Sequence, residues 1–278
     1  MESSTRVSQH VGPQLQKNKW PMIERGGLAL HVSPLLSKQS GLIHAFTTRL
    51  GGDSRAPMEW FNLGRHIDDQ AAREDAIANR KRLCQALALD YDKIVVPGQV
   101  HSNIVVSSRQ NDFAQVDSIA TTDQGRPILL HFADCVPIII FDPHVRALVV
   151  VHAGWKGTAG CIAKNAVRFL GTEFGCRPEH LVAAVGPAIG SCCYPVSEET
   201  AQALGASVSN DSGLIVRRSK PHPDLKAINA VQLKESGVGA IDVTDLCTAC
   251  QPELFYSHRQ SGGKTGRQGA IASINYIS

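Results

Sequence analysis

Two short apolar runs, Val136 to Phe141 and Ala147 to Val151, are each bounded by polar or Gly-rich residues and separated by Asp142-Pro143-His144-Val145. The pattern predicts two buried strands joined as a hairpin. With Pro143 and His144 at a tight tip, Asp142 faces Val145 and Cys135 lies directly opposite His152. Opposed side chains sit about 4.5–5.5 Å apart at Cβ, close enough for a thiolate and an imidazole to share a metal ion at roughly 2.3 and 2.1 Å. Pro137 cannot donate to a ladder and Pro143 does not suit a primed hairpin turn, so a one-residue slip of register stays open. On a strand, His131 shares a face with Ala133 and Cys135 and competes as a donor.

The rest of the chain alternates strands and helices. Gly27 to Val32, with Leu28, Leu30 and Val32 on one face, and Leu42 to Thr47 read as strands. Asp68 or Asp69 caps a helix running to about Leu87, with Ile77, Leu83 and Leu87 on its inner side. Ile94 to Val96 reads as a short strand. Beyond His152, a Gly-rich segment opens a helix of about Ala159 to Leu170, capped by Thr158 and closed by Gly171. A strand at Leu181 to Val185 runs into Gly186-Pro187-Ala188-Ile189-Gly190-Ser191-Cys192-Cys193-Tyr194-Pro195. Helices from Ser197 and over Leu225 to Ser236, then strands Ala240 to Val243 and Gly269 to Ile274, complete the pattern. The expectation is an α/β fold: a disordered polar tail over residues 1–20, then one catalytic domain over 21–278.

Composition narrows the function classes. The 278 residues are 43% hydrophobic, enough for a full core, and the net charge of +3 comes with no strong Lys/Arg cluster. That gives no electrostatic footprint for nucleic acid or a membrane surface. The first twenty residues lack an apolar signal core, and no run approaches the roughly 18 apolar residues of a membrane span, so a cytoplasmic location is expected. Eight cysteines are then expected as reduced thiols rather than a disulfide framework. Cys84, Cys161 and Cys176 read as core filling.

Candidate chemistry gathers at strand ends. Arg49, past the Leu42 to Thr47 strand and before Gly51-Gly52, suits an anion, because guanidinium presents a planar fork to phosphate oxygens. The helix start at Thr158, with Lys156 nearby, offers backbone N–H groups and a positive dipole end, although the P-loop spacing is absent. Cys135 and His152 supply two of the three ligands usual in catalytic zinc sites. A lone His101 is more often structural. Cys247-Thr248-Ala249-Cys250 has zinc-pair spacing, yet no second close pair follows it, which argues against a structural zinc ribbon.

Gln99-Val100-His101, Ala133-Asp134-Cys135-Val136-Pro137, His152-Ala153-Gly154-Trp155-Lys156-Gly157-Thr158, Gly186-Pro187-Ala188-Ile189-Gly190 and Cys247-Thr248 stand in one order along the chain. In this the sequence resembles the YfiH-like family, named for a laccase or polyphenol oxidase domain and later assigned purine nucleoside phosphorylase activity. Phe46 to Gly52, Phe255 to Arg259 and Gly266-Arg267 extend the resemblance from about Leu42 to the C-terminal region. It implies a sandwich of mixed β-sheets flanked by helices, with zinc on His101, Cys135 and His152. Pro195 stands where the family often has Glu, and His258 where it usually has Tyr.

The resemblance further implies phosphorolysis of adenosine, inosine, guanosine and methylthioadenosine, with accompanying adenosine deamination. Asp134 is the candidate catalytic carboxylate. Arg49, Asn62, Lys156, Thr158 and Tyr194 are the candidate phosphate and substrate contacts. The partners are then a nucleoside and phosphate, with zinc as cofactor and copper as an adventitious competitor. Two enzyme alternatives remain: a cysteine hydrolase editing cell-wall precursor amides with Cys135 as nucleophile, and a copper polyphenol oxidase. Against the oxidase, none of the eleven histidines forms a His-x-His pair. A non-enzymatic scaffold leaves the polar motifs at strand ends unexplained.

Overall fold

The computed structural model describes residues 17–56, 58–64 and 69–275. In chain order its strands are β1 (Lys17–Asn18), β2 (Met22–Arg25), β3 (Leu28–His31), β4 (Leu42–Thr47), β5 (Val105–Ser107), β6 (Ser118–Thr121), β7 (Ile128–Phe132), β8 (Val136–Asp142), β9 (Ala147–Ala153), β10 (Val182–Val185), β11 (Ile215–Arg217), β12 (Pro221–Pro223), β13 (Ala240–Thr244) and β14 (Gln268–Ile274). The α-helices are α1 (Gln70–Ala86), α2 (Trp155–Ala159), α3 (Ile162–Phe174), α4 (Glu198–Gly205) and α5 (Leu225–Glu235). A seven-stranded mixed sheet has the order β1-β13-β10-β8-β9-β6-β5, and a five-stranded antiparallel sheet the order β2-β3-β4-β14-β7. This is the expected α/β sandwich of mixed sheets flanked by helices.

Side-chain alternation builds the layers. On β8 and β9, Val136, Ile138, Ile140, Val149 and Val151 face a core shared with α3 and α5, while Ile139, Phe141, Leu148 and Val150 face the other sheet. The outer face of the five-stranded sheet packs Leu28, Leu30, Leu129 and Ile271 against Leu83 and Cys84 of α1. The order is therefore helices, sheet, sheet, helix. By the same alternation His152 and Cys135 point into the space between the sheets, where β7 of one sheet leads through Ala133–Cys135 into β8 of the other.

The hairpin register differs from the expected one by two places. Pro137, not Cys135, pairs with His152, and Asp142 pairs with Ala147. Asp142 Oδ1 accepts the backbone N–H of His144 and of Val145 at 2.8 and 3.1 Å, and Arg146 takes φ 58°. Those contacts build a four-residue loop in place of the tight tip. A shift of two keeps every side chain on its face, so Cys135 and His152 become diagonal rather than direct neighbours.

Other expectations need correction. Residues 17–20, expected in the tail, belong to the fold: β1 pairs in parallel with β13, and Trp20 is buried against Phe46. Residues 1–16 lie outside the described residues, as does Asp68; Asp69 caps α1 by accepting from Ala72 N–H at 2.8 Å. Ile77 is exposed, because α1 turns Ala76, Asn79, Arg80 and Leu83 inward at the i, i+3, i+4, i+7 spacing. Ile94–Val96 contributes only an isolated bridge, Val95 to Ile128. The helix expected at Ala159 is two helices. α2 begins after Gly154, Cys161 breaks the run at φ 59°, and α3 ends at Gly175 rather than Gly171. Cys161 is half-buried at that break, while Cys84 and Cys176 fill core space as expected.

Candidate active site

His101, Cys135 and His152 come from a loop, the sheet crossover and β9, and their donor atoms all lie within 4.8 Å of one another. Cys135 Sγ is 3.8 Å from His101 Nε2. His131, the competing donor, sits buried on β7 and lines the adjoining cavity but does not join this group. One residue that no motif singles out holds the cluster together. The Asp117 carboxylate accepts His152 Nδ1–H at 2.7 Å, the N–H groups of Val100, His101 and Ser102 at 3.1, 3.0 and 2.7 Å, and the Ser102 hydroxyl at 2.8 Å. A carboxylate on Nδ1–H fixes the tautomer and leaves Nε2 as the donor atom facing the cluster. Burial opposes the Asp117 charge, yet the His152 hydrogen bond and charge, with Ser102, bring its pKa down to about 2.

Electrostatics and close packing complete the centre. Burial raises the Cys135 thiol, but the charge of His152 and hydrogen bonds from both imidazoles outweigh it and draw the pKa down. His152 is shifted reciprocally upward against its own burial, chiefly by Cys135. The pair thus favours a thiolate beside imidazolium, the charge state from which a metal cation would displace that proton. A Cβ added at Gly154 would meet His101 Cδ2 at 2.8 Å and Cys135 Sγ at 3.2 Å, so the backbone passes where no side chain fits. Gln99, His101 and Asp134 all take positive φ, at 56°, 62° and 85°. Such backbone is unusual outside glycine and gathers at functional sites. One thiol and two imidazoles suit a borderline-soft tetrahedral ion with its fourth position open, so the donor set fits zinc.

The cluster borders a cavity of about 880 Å³, within the roughly 300–1,000 Å³ usual for small-molecule sites. Among the expected contacts, Asn62, Asp134 and Tyr194 line it. Asn62 Oδ1 accepts Gly64 N–H and Arg267 N–H, both at 2.9 Å, which fixes the strand entry carrying Arg267. Asp134 accepts the Thr248 hydroxyl at 2.7 Å on Oδ1 and Arg259 N–H at 2.7 Å on Oδ2, tying three loops. Burial pushes the Tyr194 phenol up to about 12, so it stays a neutral donor, and Arg259 stacks 4.9 Å over its ring.

Arg49, Lys156 and Thr158 do not border this cavity. Arg49 donates to the Pro252 carbonyl at 2.9 Å and lies between the rings of Trp60 and Tyr256, at 4.5 and 4.8 Å. Lys156 is exposed beside Trp155. Thr158 is fully buried inside α2, where its hydroxyl accepts from Asn229 at 2.9 Å, so it is not an exposed cap. Among the described residues, the Lys and Arg side chains that line the cavity are Arg259, Lys264 and Arg267. Arg259 and Arg267 lie within the late motifs of the resemblance, but a polar loop gives no local signal that it folds back over a site. Gln99 has a structural role, because its amide donates to His131 O and accepts His131 N–H, both at 2.8 Å, and so closes the edge of β7.

A cation-lined cavity beside three metal-type donors at a sheet crossover is the arrangement of a protein built around a small-molecule site. The chain belongs to the family described as multi-copper polyphenol oxidoreductase laccase, whose profile matches residues 43–275. A relative from Geobacillus stearothermophilus, named purine nucleoside phosphorylase YlmD, is 38% identical over 259 residues, covering 87% of this chain and 92% of its own. A protein from an unknown prokaryotic organism, named adenosine deaminase RL5, is 32% identical over 242 residues, covering 81% of this chain and 92% of its own. The crystal structure of YlmD from Geobacillus stearothermophilus superposes with a TM-score of 0.84 at 33% identity, covering 92% of this chain and 99% of that one. Among the described residues no helix is long and apolar enough to cross a membrane.

Proposed function

We propose that the protein is a zinc-dependent purine nucleoside phosphorylase with accompanying adenosine deaminase activity. The observation that carries this reading is one cavity bordered by both the His101–Cys135–His152 cluster and the cations Arg259, Lys264 and Arg267. The names of the relatives YlmD and RL5 agree with it. In phosphorolysis a phosphate oxygen bonds to ribose C1′, the C1′–N9 bond breaks, and the purine leaves with the electron pair and a proton. Arg259, Lys264 and Arg267 hold the phosphate and screen its charge from the cavity wall. Trp155 and Tyr194 offer flat surfaces to the base. Asp134 borders the cavity with one donor on each oxygen, and each oxygen retains a lone pair for a substrate proton. Zinc on Cys135, His101 and His152 would supply Lewis acidity at the cavity wall, for a departing purine or for water attacking adenine C6.

The deciding test incubates the protein with inosine and adenosine, with and without phosphate, using Cys135→Ala as the blank. Phosphorolysis yields hypoxanthine and ribose 1-phosphate only with phosphate present; deamination converts adenosine to inosine in either condition. Equal base release by wild type and blank, with zinc present in the wild type, would overturn the purine reading.

A second reading has its own observation. Asp117, His152 and Cys135 stand in the order of an orienting acid, a base and a nucleophile, as a cysteine amidase of cell-wall precursors requires. A thiolate bound to zinc is not a free nucleophile, so the loss of one zinc equivalent on Cys135→Ala, or its absence, separates the two. The copper oxidase reading weakens further, since no donor group among the described residues holds more than two imidazoles.

A further inference from the structure

Cys192 and Cys193 lie on the loop after β10, and Cys247 and Cys250 on the loop after β13. The fold brings all four thiols together, every Sγ within 4.8 Å of the others. Cys192 Sγ is 3.6 Å from Cys247 Sγ and 3.3 Å from Cys250 Sγ, and Cys193 Sγ is 3.3 Å from Cys250 Sγ. Four sulfurs around one zinc at about 2.3 Å stand about 3.8 Å apart, whereas a disulfide requires about 2.05 Å. The missing second pair for Cys247-x-x-Cys250 thus precedes it in sequence instead of following it.

Two neighbours suit a centre of negative thiolates. Gly190 N–H donates to Cys247 Sγ at 3.2 Å, the backbone contact that stabilises a metal-bound sulfur. The Lys226 ammonium, 1% exposed, donates to the carbonyl of Leu246, next to Cys247. A buried cation needs nearby negative charge; Asp224 and Asp245 supply part of it, and a thiolate at Cys247 adds to it.

We propose that Cys192, Cys193, Cys247 and Cys250 form a second metal site, a tetrahedral four-thiolate centre for a soft divalent ion of the zinc type, separate from the His101–Cys135–His152 cluster. Its role is structural. Ile189 and Tyr194 line the cavity from the first loop, Thr248 on the second holds Asp134, and Thr248 N–H donates to Ala188 O at 3.2 Å. An ion on the four sulfurs fastens these two cavity walls together. Closed four-coordinate sulfur sites of this kind contribute directly to folding stability.

The test uses the full chain, stripped of metal and kept reduced, with Cd²⁺ as the probe and its ultraviolet thiolate charge-transfer absorption as the signal. Cys135→Ala removes the cavity thiol, so a band in that variant reports on the four-cysteine site alone. The expected result is about one equivalent of Cd²⁺ per Cys135→Ala chain, and loss of the band when Cys192→Ser and Cys250→Ser are added. Zinc analysis should fall by about one equivalent for Cys250→Ser in an otherwise wild-type chain and, separately, by about one for His101→Ala. Cys192 and Cys250 are exposed, and circular dichroism checks that each variant is folded. Should the double serine change unfold the protein, Cys250→Ser alone must lower the band intensity and the Cd²⁺ affinity at least tenfold. A reduced Cys135→Ala chain that binds no Cd²⁺, or a band untouched by the serine changes, overturns the proposal. Loss of nucleoside activity in any variant leaves these readouts unaffected, so a failed purine assignment is distinguishable from a failed four-thiolate site.

Discussion

Asp117 grips His152 twice: its carbonyl accepts His152 N–H at 2.7 Å, and its carboxylate accepts His152 Nδ1–H at 2.7 Å. The first bond sets the strand edge and the second aims the ring, so one residue governs both position and tautomer. Asp117→Asn keeps the shape and removes the charge. Zinc affinity is expected to fall about ten- to a hundredfold, with the variant still folded. Competition titration against a chromogenic chelator measures this, and unchanged affinity would show that Asp117 serves only the loop.

Gly154→Ala tests the close passage of backbone beside the donors. Its methyl group would sit 2.8 Å from His101 Cδ2. The imidazole must then move, and metal content and turnover should both collapse while thermal stability drops by about 1–3 kcal/mol. A variant retaining full zinc would place His101 outside the ligand set.

Arginine substitutions discriminate between the two candidate anion cradles. Losing a charge-assisted contact costs roughly 1.5–3 kcal/mol, so Arg267→Gln should raise the KM for phosphate about ten- to a hundredfold. Arg49→Ala should leave that KM unchanged and lower stability by about 1–2 kcal/mol through its lost carbonyl and ring contacts. Steady-state kinetics at varied phosphate reads both, and the opposite ranking would restore the Arg49 cradle.

His44 predicts acid sensitivity away from the site. Burial, only partly offset by the Ser33 backbone and the charge of Asp242, brings its pKa down to about 4 from 6.5. Above pH 6.5 the ring is neutral in both folded and unfolded chains. As pH falls from 6.5 to about 4, the unfolded chain gains a proton that the folded chain refuses, and stability is lost across that window. The full loss is about 3 kcal/mol. Denaturant melts at pH 7 and pH 4.5 should show His44→Gln to be less pH-sensitive than wild type; a steeper dependence in the variant would refute the assignment.

The layers and the central hairpin are legible in the sequence because period-two alternation on β8 and β9 states which side chains share a face, and that survives a register error of two. Other features depend on contacts between distant segments. His101 sits in a loop with no periodicity, and the residues alone do not separate it from a structural histidine. Asp117 looks like any acid before a strand until the loop after Gln99 folds onto it. The Gly-rich segment after His152 reads as ending at Thr158, whereas α2 already begins just after Gly154, and Cys161 at φ 59° separates it from α3. The adjacent pair Cys192-Cys193 carries no metal-binding spacing of its own, so nothing local links it to Cys247 and Cys250.

The central place of β14 has a consequence for the order of events as the chain is made. β14 pairs with β4 on one side and β7 on the other, joining residues 270–274 to residues 42–46. Until residues 268–274 have left the ribosome, β4 and β7 have no strand between them, and the crossover from β7 to Cys135 has only one finished sheet to rest on. Pairings this far apart in sequence are slow to close. The donor cluster therefore forms late, after synthesis of the last strand, and nascent chains halted before residue 268 should neither retain zinc at His101, Cys135 and His152 nor protect β7 from proteolysis.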